Sequence, residues 1–228
     1  MLLVPSNANG QGGDIVKDII IYGSGGMARE VAQLIEDINS TNHIWNIKGY
    51  IDDYKGETHE MISGYRVLGT AEILKKLDQP VNIIIAVSDP ESKKGIYNKI
   101  KQYNIEFPVL IHPSTSIGKN TVIGEGSIIS KDCILSVDVT LGRHVFVNMR
   151  SIAGHDTVIK DYSSCLLNCI ISGNVTIGEG CLLGSGCVIM EKKGIGDGAR
   201  IGMGSIVNFD VEKGHTVLSR PSKSMCFG

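Results

Sequence analysis

The stretch IGKNTVIGEGSIISKDCIL, residues 117–135, carries the six-residue period that decides the fold. An aliphatic residue begins each hexad, and the register continues without a break to Val207. Fourteen of the sixteen hexad starts are Ile, Leu or Val, which is too regular for chance. The fifth position is small or β-branched in every hexad except the one that contains Lys193. A six-residue period is typical of a parallel β-helix, in which three hexads form one triangular coil.

Each position of the hexad has a role in this prediction. The aliphatic residue points inward and fills the prism, and the small residue lies near a corner where a larger side chain would clash. Glycine often follows the aliphatic residue, as at Gly124 and Gly184, and we expect it to provide the backbone torsions of the corners. Outward apolar positions such as Phe146, Met149 and Leu166 suit packing against a neighbouring prism, which predicts a homotrimer with three-fold symmetry.

Composition excludes several classes of protein. The 228 residues suffice for one or two domains, and a formal net charge of −2 gives no basic surface for nucleic acid. No apolar run reaches the roughly eighteen residues of a membrane span, and no basic segment before an apolar core marks a signal peptide. We therefore predict a cytoplasmic protein without membrane insertion.

Register explains five of the six cysteines. Four occupy the small fifth position, and Cys165 occupies an aliphatic start. Such positions favour small buried apolar side chains, and the ligand spacings of a metal site are missing. We expect neither a metal site nor a disulfide.

The chain divides into four segments. Residues 1–16 lack periodicity and are predicted to be a disordered tail. Strands and helices alternate over residues 17–112, which indicates a small parallel α/β, Rossmann-like domain. The β-helix covers residues 113–212, and residues 213–228 form a C-terminal tail. The expected strands are Asp18–Tyr22, Trp45–Ile51, Val81–Val87 and Phe107–Ile111, and the expected helices are Ala28–Asn39, Thr70–Leu77 and Pro90–Tyr103.

A glycine-rich turn follows the first strand of the α/β domain. Gly23, Ser24 and Gly25 open a G-x-G-x-x-A spacing, which brings backbone N–H groups and a helix N-terminus toward a phosphate. Asp52 and Asp53 end the second strand, where a carboxylate can accept hydrogen bonds from a ribose hydroxyl or a pyrimidine N–H. A tight βα turn and a solvated acidic turn are the alternatives, and the spacing alone leaves them open.

His155 differs in context from the other five histidines. It lies at a hexad corner beside Asp156, and its hexad begins with Ala153 rather than Ile, Leu or Val. An exposed corner histidine with an acidic neighbour can act as a general base. The alternative is a simple surface histidine.

The order of these features resembles the NDP-sugar acyltransferases that join a small Rossmann-like domain to a left-handed β-helix. This group contains the bacillosamine-pathway and perosamine N-acetyltransferases and the sialic acid O-acetyltransferases. The resemblance covers Asp18 to Lys223, and the left-handedness comes from it rather than from the spacing. Its markers are Ile21–Gly26 with Arg29–Val31, Gly49–Asp53, Ile111–Ser114, Gly154–Asp156 and Ser172–Gly178.

The resemblance also implies roles for individual residues. His155 matches the catalytic base that deprotonates the sugar amine or hydroxyl, and Asp156 matches the acid that orients it. The backbone N–H of Gly173 matches the donor near the thioester carbonyl. The nucleotide sugar would bind at Gly23, Ser24, Gly25, Asp52 and Asp53. The family works as a trimer, with acyl-CoA between adjacent β-helices.

This sequence departs from the family pattern at three places. Met27 stands where the glycine loop usually has histidine, and Ser164 stands where a second histidine often follows the catalytic one by nine residues. The tail Ser219–Lys223 also differs from the usual form. The last two departures lie where acyl-CoA should bind. We therefore expect Ser164 to line an acyl pocket that is roomier than in relatives and admits chains longer than acetyl.

The predicted function is acyl-CoA-dependent N-acylation, with acetyl-CoA the simplest donor, of a nucleotide-linked 4-amino-4,6-dideoxy sugar, without a metal. O-acetylation of a sialic acid is an alternative, since the same base serves a hydroxyl. An NAD-dependent oxidoreductase is a further interpretation, which accounts for the glycine-rich turn but gives the β-helix no function. The remaining hypothesis is a scaffold protein without catalytic activity.

Overall fold

The computed structural model describes residues 2–3, 16–56, 58, 60–76 and 79–220. Most of the predicted N-terminal tail lies outside these residues. Within that tail, Leu2–Leu3 forms a short strand antiparallel to Val122–Ile123. At the other end, Thr216–Val217 pairs with Arg200–Ile201, so the β-helix continues beyond the predicted boundary at residue 212.

The N-terminal domain is a six-stranded sheet with helices packed on it. The strands, in spatial order, are Met61–Ile62, Tyr65–Gly69, Trp45–Ile51, Lys17–Tyr22, Val81–Ile85 and Ile105–Glu106. All neighbours are parallel except the first pair. The helices are Gly26–Thr41, Pro90–Ile100 and the short 3-10 helix Ala71–Lys76. The Asp89 carboxylate caps the second helix by accepting a hydrogen bond from the Ser92 N–H at 2.9 Å.

Two local features differ from the sequence-based expectation. The expected strand Phe107–Ile111 is divided, because Ile105–Glu106 ends the sheet of the first domain while Leu110–Ile111 begins the β-helix. Pro108 lies between them and has no N–H to donate to a sheet. The hairpin around Ser63-Gly64 was not expected. Both of its turn residues have positive φ, as a two-residue hairpin turn requires.

The C-terminal domain is a triangular prism of two-residue strands, which form three sheets. We call these sheets faces 1, 2 and 3. Face 1 contains Val122–Ile123, Thr140–Leu141, Val158–Ile159, Thr176–Ile177 and Gly194–Ile195. Face 2 contains Leu110–Ile111, Ile128–Ile129, Phe146–Val147, Ser164–Cys165, Leu182–Leu183, Arg200–Ile201 and Thr216–Val217. Face 3 contains Ser116–Ile117, Ile134–Leu135, Ile152–Ala153, Ile170–Ile171, Val188–Ile189 and Ile206–Val207.

The inside of the prism follows the hexad pattern. The aliphatic starts form one continuous core, and the small fifth residues are buried beside them. Fifth-position hydroxyls join successive coils: the Ser127 hydroxyl donates to the Gly142 carbonyl at 2.9 Å and accepts from the Val145 N–H at 3.0 Å. The five cysteines in the described part of the chain are buried, as expected from their register.

The prediction for the glycines after the aliphatic starts is wrong. These glycines have ordinary backbone torsions, and the positive φ values occur at the fourth position of each hexad, for example 59° at Asn120 and 58° at Asp138. The glycines are needed because the next coil lies too close for a side chain. A Cβ atom at Gly118 would lie 2.5 Å from the Ser136 carbonyl carbon, and one at Gly184 would lie 2.6 Å from a backbone nitrogen.

The two domains pack on each other through face 2. Leu110, Ile128 and Phe146 belong to the same hydrophobic core as helix Gly26–Thr41. Phe146 is therefore buried by its own chain and is not free to pack against a neighbouring prism, contrary to the expectation from its outward register. Within the described residues, no helix has the length and apolar character needed to cross a bilayer.

Candidate active site

A cavity of about 680 Å³ opens at the carboxyl ends of the central strands in the first domain. The glycine-rich turn forms one wall. Gly23 has a φ of +107°, and a Cβ atom there would lie 3.0 Å from the Ala86 carbonyl oxygen. Helix Gly26–Thr41 begins at this wall, and its N-cap residue Gly25 has no side chain to occupy the first N–H groups. The turn therefore offers uncapped donors to an anion.

The Asp52 carboxylate connects the glycine-rich turn to the next loop. Its Oδ2 accepts a 2.5 Å hydrogen bond from the Ser24 hydroxyl. Its Oδ1 accepts from the N–H groups of Tyr54 and Lys55 at 2.9 and 3.2 Å. Ser24 is buried, while Asp52 lines the cavity. These bonds hold the Asp52 side chain at the cavity wall.

Both oxygens of the Asp53 carboxylate already accept hydrogen bonds from other groups of the protein. Its Oδ2 accepts from the Tyr22 hydroxyl and from the Lys99 ammonium, both at 2.6 Å, and its Oδ1 accepts from the Ala71 N–H at 3.1 Å. Burial alone would raise the pKa of Asp53, but the hydrogen bonds from Lys99, Tyr22 and Ala71 outweigh it and hold the pKa below its usual value. Asp53 thus holds the Lys99 ammonium at the cavity wall.

Lys99 is a cavity residue that the sequence patterns did not single out. It lines the cavity with Ser92, Gly95 and Ile96, all from helix Pro90–Ile100. Their spacing of three, one and three residues places them on one helical face. That spacing was present in the sequence, but only the packing of the helix tells which face meets the cavity.

His155 and Asp156 form a pair at the corner between faces 3 and 1. The His155 Nδ1 lies 2.8 Å from the Asp156 Oδ2, and both side chains are about half exposed, at 55% and 54%. A carboxylate can only accept, so Nδ1 carries the proton and donates it. In the neutral imidazole, the Nε2 atom then has a free lone pair. This is the arrangement of a histidine base whose tautomer is fixed by an acid.

Gly173 lies beneath the imidazole ring, one coil further along. A Cβ atom at this position would lie 2.5 Å from the His155 Nε2. The Gly173 carbonyl accepts from the Lys192 N–H at 3.0 Å, whereas the Gly173 N–H makes no hydrogen bond within the described residues. A free backbone donor therefore lies next to the Nε2 atom of His155.

Ser164 does not lie at the corner that holds His155, Asp156 and Gly173. Its side chain is fully buried in face 2, and its hydroxyl accepts a 2.8 Å hydrogen bond from the Lys93 ammonium. It has no surface that an acyl chain could reach, so this position does not support the predicted role in a wider acyl pocket. The spacing of nine residues is half a coil, which carries the chain from the corner of His155 to a different face.

The predicted residues therefore fall into two groups in one chain. Gly23, Ser24, Gly25, Asp52 and Asp53 line or support the cavity. His155, Asp156 and Gly173 meet at the β-helix corner, and none of these three lines that cavity. The described residues contain no cluster of His, Cys, Asp or Glu that could hold a metal ion.

Comparison with known proteins agrees with this architecture. Residues 18–100 match the model of the PglD N-terminal domain family. The acetyltransferase domain of PglB from Neisseria gonorrhoeae is 25% identical, with a TM-score of 0.82 over 92% of this chain and 100% of that one. WeeI from Acinetobacter baumannii is 26% identical, with a TM-score of 0.80 over 91% and 99%. No curated protein sequence matches the chain.

A perosamine N-acetyltransferase from Caulobacter crescentus, solved as a variant with CoA and GDP-perosamine, shares the fold. It has 20% identity and a TM-score of 0.81 over 93% of this chain and 98% of that one. The predicted fold, a Rossmann-like domain followed by a left-handed parallel β-helix, is confirmed. The resemblance to the hexapeptide-repeat NDP-sugar acetyltransferases is confirmed as well.

Proposed function

We propose that this chain is an acetyl-CoA-dependent N-acetyltransferase acting on the amino group of a nucleotide-linked 4-amino-4,6-dideoxy sugar. The observation that carries the proposal is the His155–Asp156 pair, with its free Nε2 beside the free N–H of Gly173. The similar PglB domain has been solved with acetyl-CoA, and it spans both domains of this chain.

The chemistry follows from these three residues. The sugar amine attacks the thioester carbonyl carbon, a C–N bond forms, and the Nε2 of His155 accepts the proton that the nitrogen loses. The Gly173 N–H donates to the oxygen that becomes negative in the tetrahedral intermediate. When the C–S bond breaks, the proton on His155 can pass to the CoA thiolate. Asp156 keeps Nδ1 protonated and stabilises the imidazolium in between.

The cavity in the first domain is the proposed nucleotide site. The uncapped start of helix Gly26–Thr41 suits the diphosphate, and Asp52 and Lys99 offer an acceptor and a donor to the ribose and base. A screen of thermal shifts with UDP-, dTDP-, GDP- and CMP-sugars and with several acyl-CoAs tests this assignment. Product analysis by mass spectrometry then shows which acceptor gains the acetyl mass, and a nicotinamide-dependent oxidation would instead remove two hydrogens. Because N- and O-acetylation add the same mass, treatment with mild base distinguishes the stable amide from a hydrolysed ester. Binding of none of these nucleotides would contradict the proposal.

Replacing Asp52 by Ala should raise KM for the nucleotide sugar about tenfold, since one or two charged hydrogen bonds are lost. Steady-state kinetics measure the effect. Asp18→Ala is the matched control, because Asp18 lies near the N-terminal end of the neighbouring strand, opposite the end that meets the cavity, and pairs with Lys48 on the surface. An unchanged KM in Asp52→Ala would move the nucleotide site elsewhere.

We further propose that the active unit is a homotrimer. The proposed base and the cavity do not meet in one chain, so a neighbouring copy would complete the site. Face 2 is covered by the first domain, whereas face 3 presents a ladder of aliphatic side chains in register. The outward residues of this ladder are Ile134, Ile152, Ile170, Val188 and Ile206. Such an unpartnered apolar stripe suits burial against a second copy.

Ile170→Glu should break this assembly, because the carboxylate would be buried without a partner in the ladder. Light scattering coupled to gel filtration should give a trimer mass for the wild type and a lower mass for the variant. Thr176→Glu is the matched control, since Thr176 is an outward and exposed residue of face 1. A monomeric wild type at micromolar concentration would contradict both the trimer and the shared site.

A further inference from the structure

Lys93 is a lysine buried between the two domains. It lies on helix Pro90–Ile100 and is only 2% exposed. Its ammonium donates to the His144 carbonyl oxygen at 2.9 Å and to the Ser164 hydroxyl at 2.8 Å. Unlike the adjacent Lys94, which pairs with Glu179 at the surface, Lys93 forms no ion pair with any described carboxylate.

Burying such a group is unfavourable. Desolvation lowers the pKa of Lys93 to about 7, against weaker electrostatic contributions from Cys165 and from Asp89, the N-cap of its helix. The neighbouring His144 is neutral, because burial first and the nearby Lys93 second lower its pKa to about 3. A methionine of similar length would fill the space without this penalty. The fold therefore gains nothing in stability from the charge itself.

The position of Lys93 explains what its two hydrogen bonds accomplish. His144 and Ser164 lie on adjacent coils, and the chain between them carries His155. The other face of the same helix supplies Ser92, Gly95, Ile96 and Lys99 to the cavity wall. Arg143 and Asp161, both on the β-helix, pair with each other at 2.6 Å. The two ion pairs that also join this helix and its N-cap to the β-helix, Lys94–Glu179 and Asp89–Arg200, are partly exposed to solvent. Lys93 is thus the buried polar link between the cavity wall and the coil of the proposed base.

We propose that Lys93 is a positioning residue that fixes the helix lining the nucleotide cavity onto the coil that carries His155. This inference rests on the proposed function, because the cavity is taken to be the nucleotide site. Loss of the link should let the helix shift on face 2, and the nucleotide contacts of that helix should weaken. Folding should not suffer, since removal of a buried charge offsets the cost of leaving the His144 carbonyl and the Ser164 hydroxyl without this donor.

The test is Lys93→Met, with Ser164→Ala as a second variant that removes one acceptor and keeps the lysine. Calorimetric titration with UDP, dTDP and GDP should show a Kd about tenfold higher in Lys93→Met for the nucleotide that binds the wild type, and a smaller change in Ser164→Ala. The Tm should be equal to or above that of the wild type. Lys48→Met is the matched control and should leave the Kd unchanged, because Lys48 pairs with Asp18 at the surface of the first domain.

The pH dependence of the Tm tests whether Lys93 is buried as an ammonium, whereas the Kd tests its positioning role. The folded protein must hold a buried ammonium below about pH 7, and this cost vanishes as the pH rises toward 10.5, the pKa of a solvated lysine. The Tm advantage of Lys93→Met should therefore be largest below pH 7 and shrink above it. A Met variant with a lower Tm, or with wild-type Kd, would overturn the inference. Transfer assays with the wild type test the proposed function separately, because the Kd comparison does not depend on turnover.

Discussion

Replacing His155 by Ala should lower kcat by about 10²–10⁴-fold, the range that a general base contributes. The Kd for the nucleotide sugar should stay near the wild-type value, since His155 lies outside the cavity of the first domain. Folding should be unaffected as well, because the ring is about half exposed and its only hydrogen-bond partner within the described residues is Asp156. Single-turnover measurements with saturating acyl-CoA would separate the chemical step from binding.

The matched control is His215→Ala. His215 is also an exposed histidine of the β-helix and lies 3.7 Å from a carboxylate, that of Glu212. If both variants lose activity equally, or if His155→Ala retains near wild-type turnover, the assignment of the base is wrong. Asp156→Asn should cost less than His155→Ala, because it removes the orienting charge and leaves the base in place.

The β-helix could be predicted from the sequence because every hexad must satisfy the same packing requirements. An inward aliphatic residue and a small corner residue are required at each turn, so the pattern repeats sixteen times in register. The glycines show the limit of this reasoning. Glycine is required at these positions because the adjacent coil, eighteen residues away, leaves no room for a side chain, as at Gly118 and Ser136. Local backbone torsions do not require it.

The candidate site was predictable only where its parts are neighbours in the sequence. His155 and Asp156 are adjacent, so their hydrogen bond follows from the chain itself. The burial of Ser164 could not be predicted from the sequence, because it depends on the first domain, which covers Ser164 with Lys93. The division of roles between Asp52 and Asp53 depends on a lysine 46 residues away, and no local pattern indicates that contact.

The geometry around Gly173 leads to a second large effect. In Gly173→Ala, the new methyl group would lie 2.5 Å from the Nε2 and 2.7 Å from the Cε1 of His155. No backbone atom is among the nearest contacts, and the imidazole can relieve the overlap by rotating toward solvent. The φ of Gly173 lies outside the left-handed region, so alanine adds no backbone strain. Stability should therefore stay near that of the wild type.

Catalysis should respond quite differently from stability. A displaced imidazole loses its hydrogen bond to Asp156 and its approach to the amine, and a misplacement of about 1 Å can cost about 10²-fold in rate. The methyl group also lies beside the Gly173 N–H, where the oxyanion is expected. We expect kcat to fall by at least about 10²-fold while the Tm changes by no more than about 2 °C. Gly194→Ala is the matched control, because the nearest atom to its Cβ is 3.8 Å away and its φ is also ordinary. Wild-type kcat in Gly173→Ala would mean that neither the ring position nor this N–H matters for transfer, and the corner of faces 3 and 1 would cease to be the candidate active site.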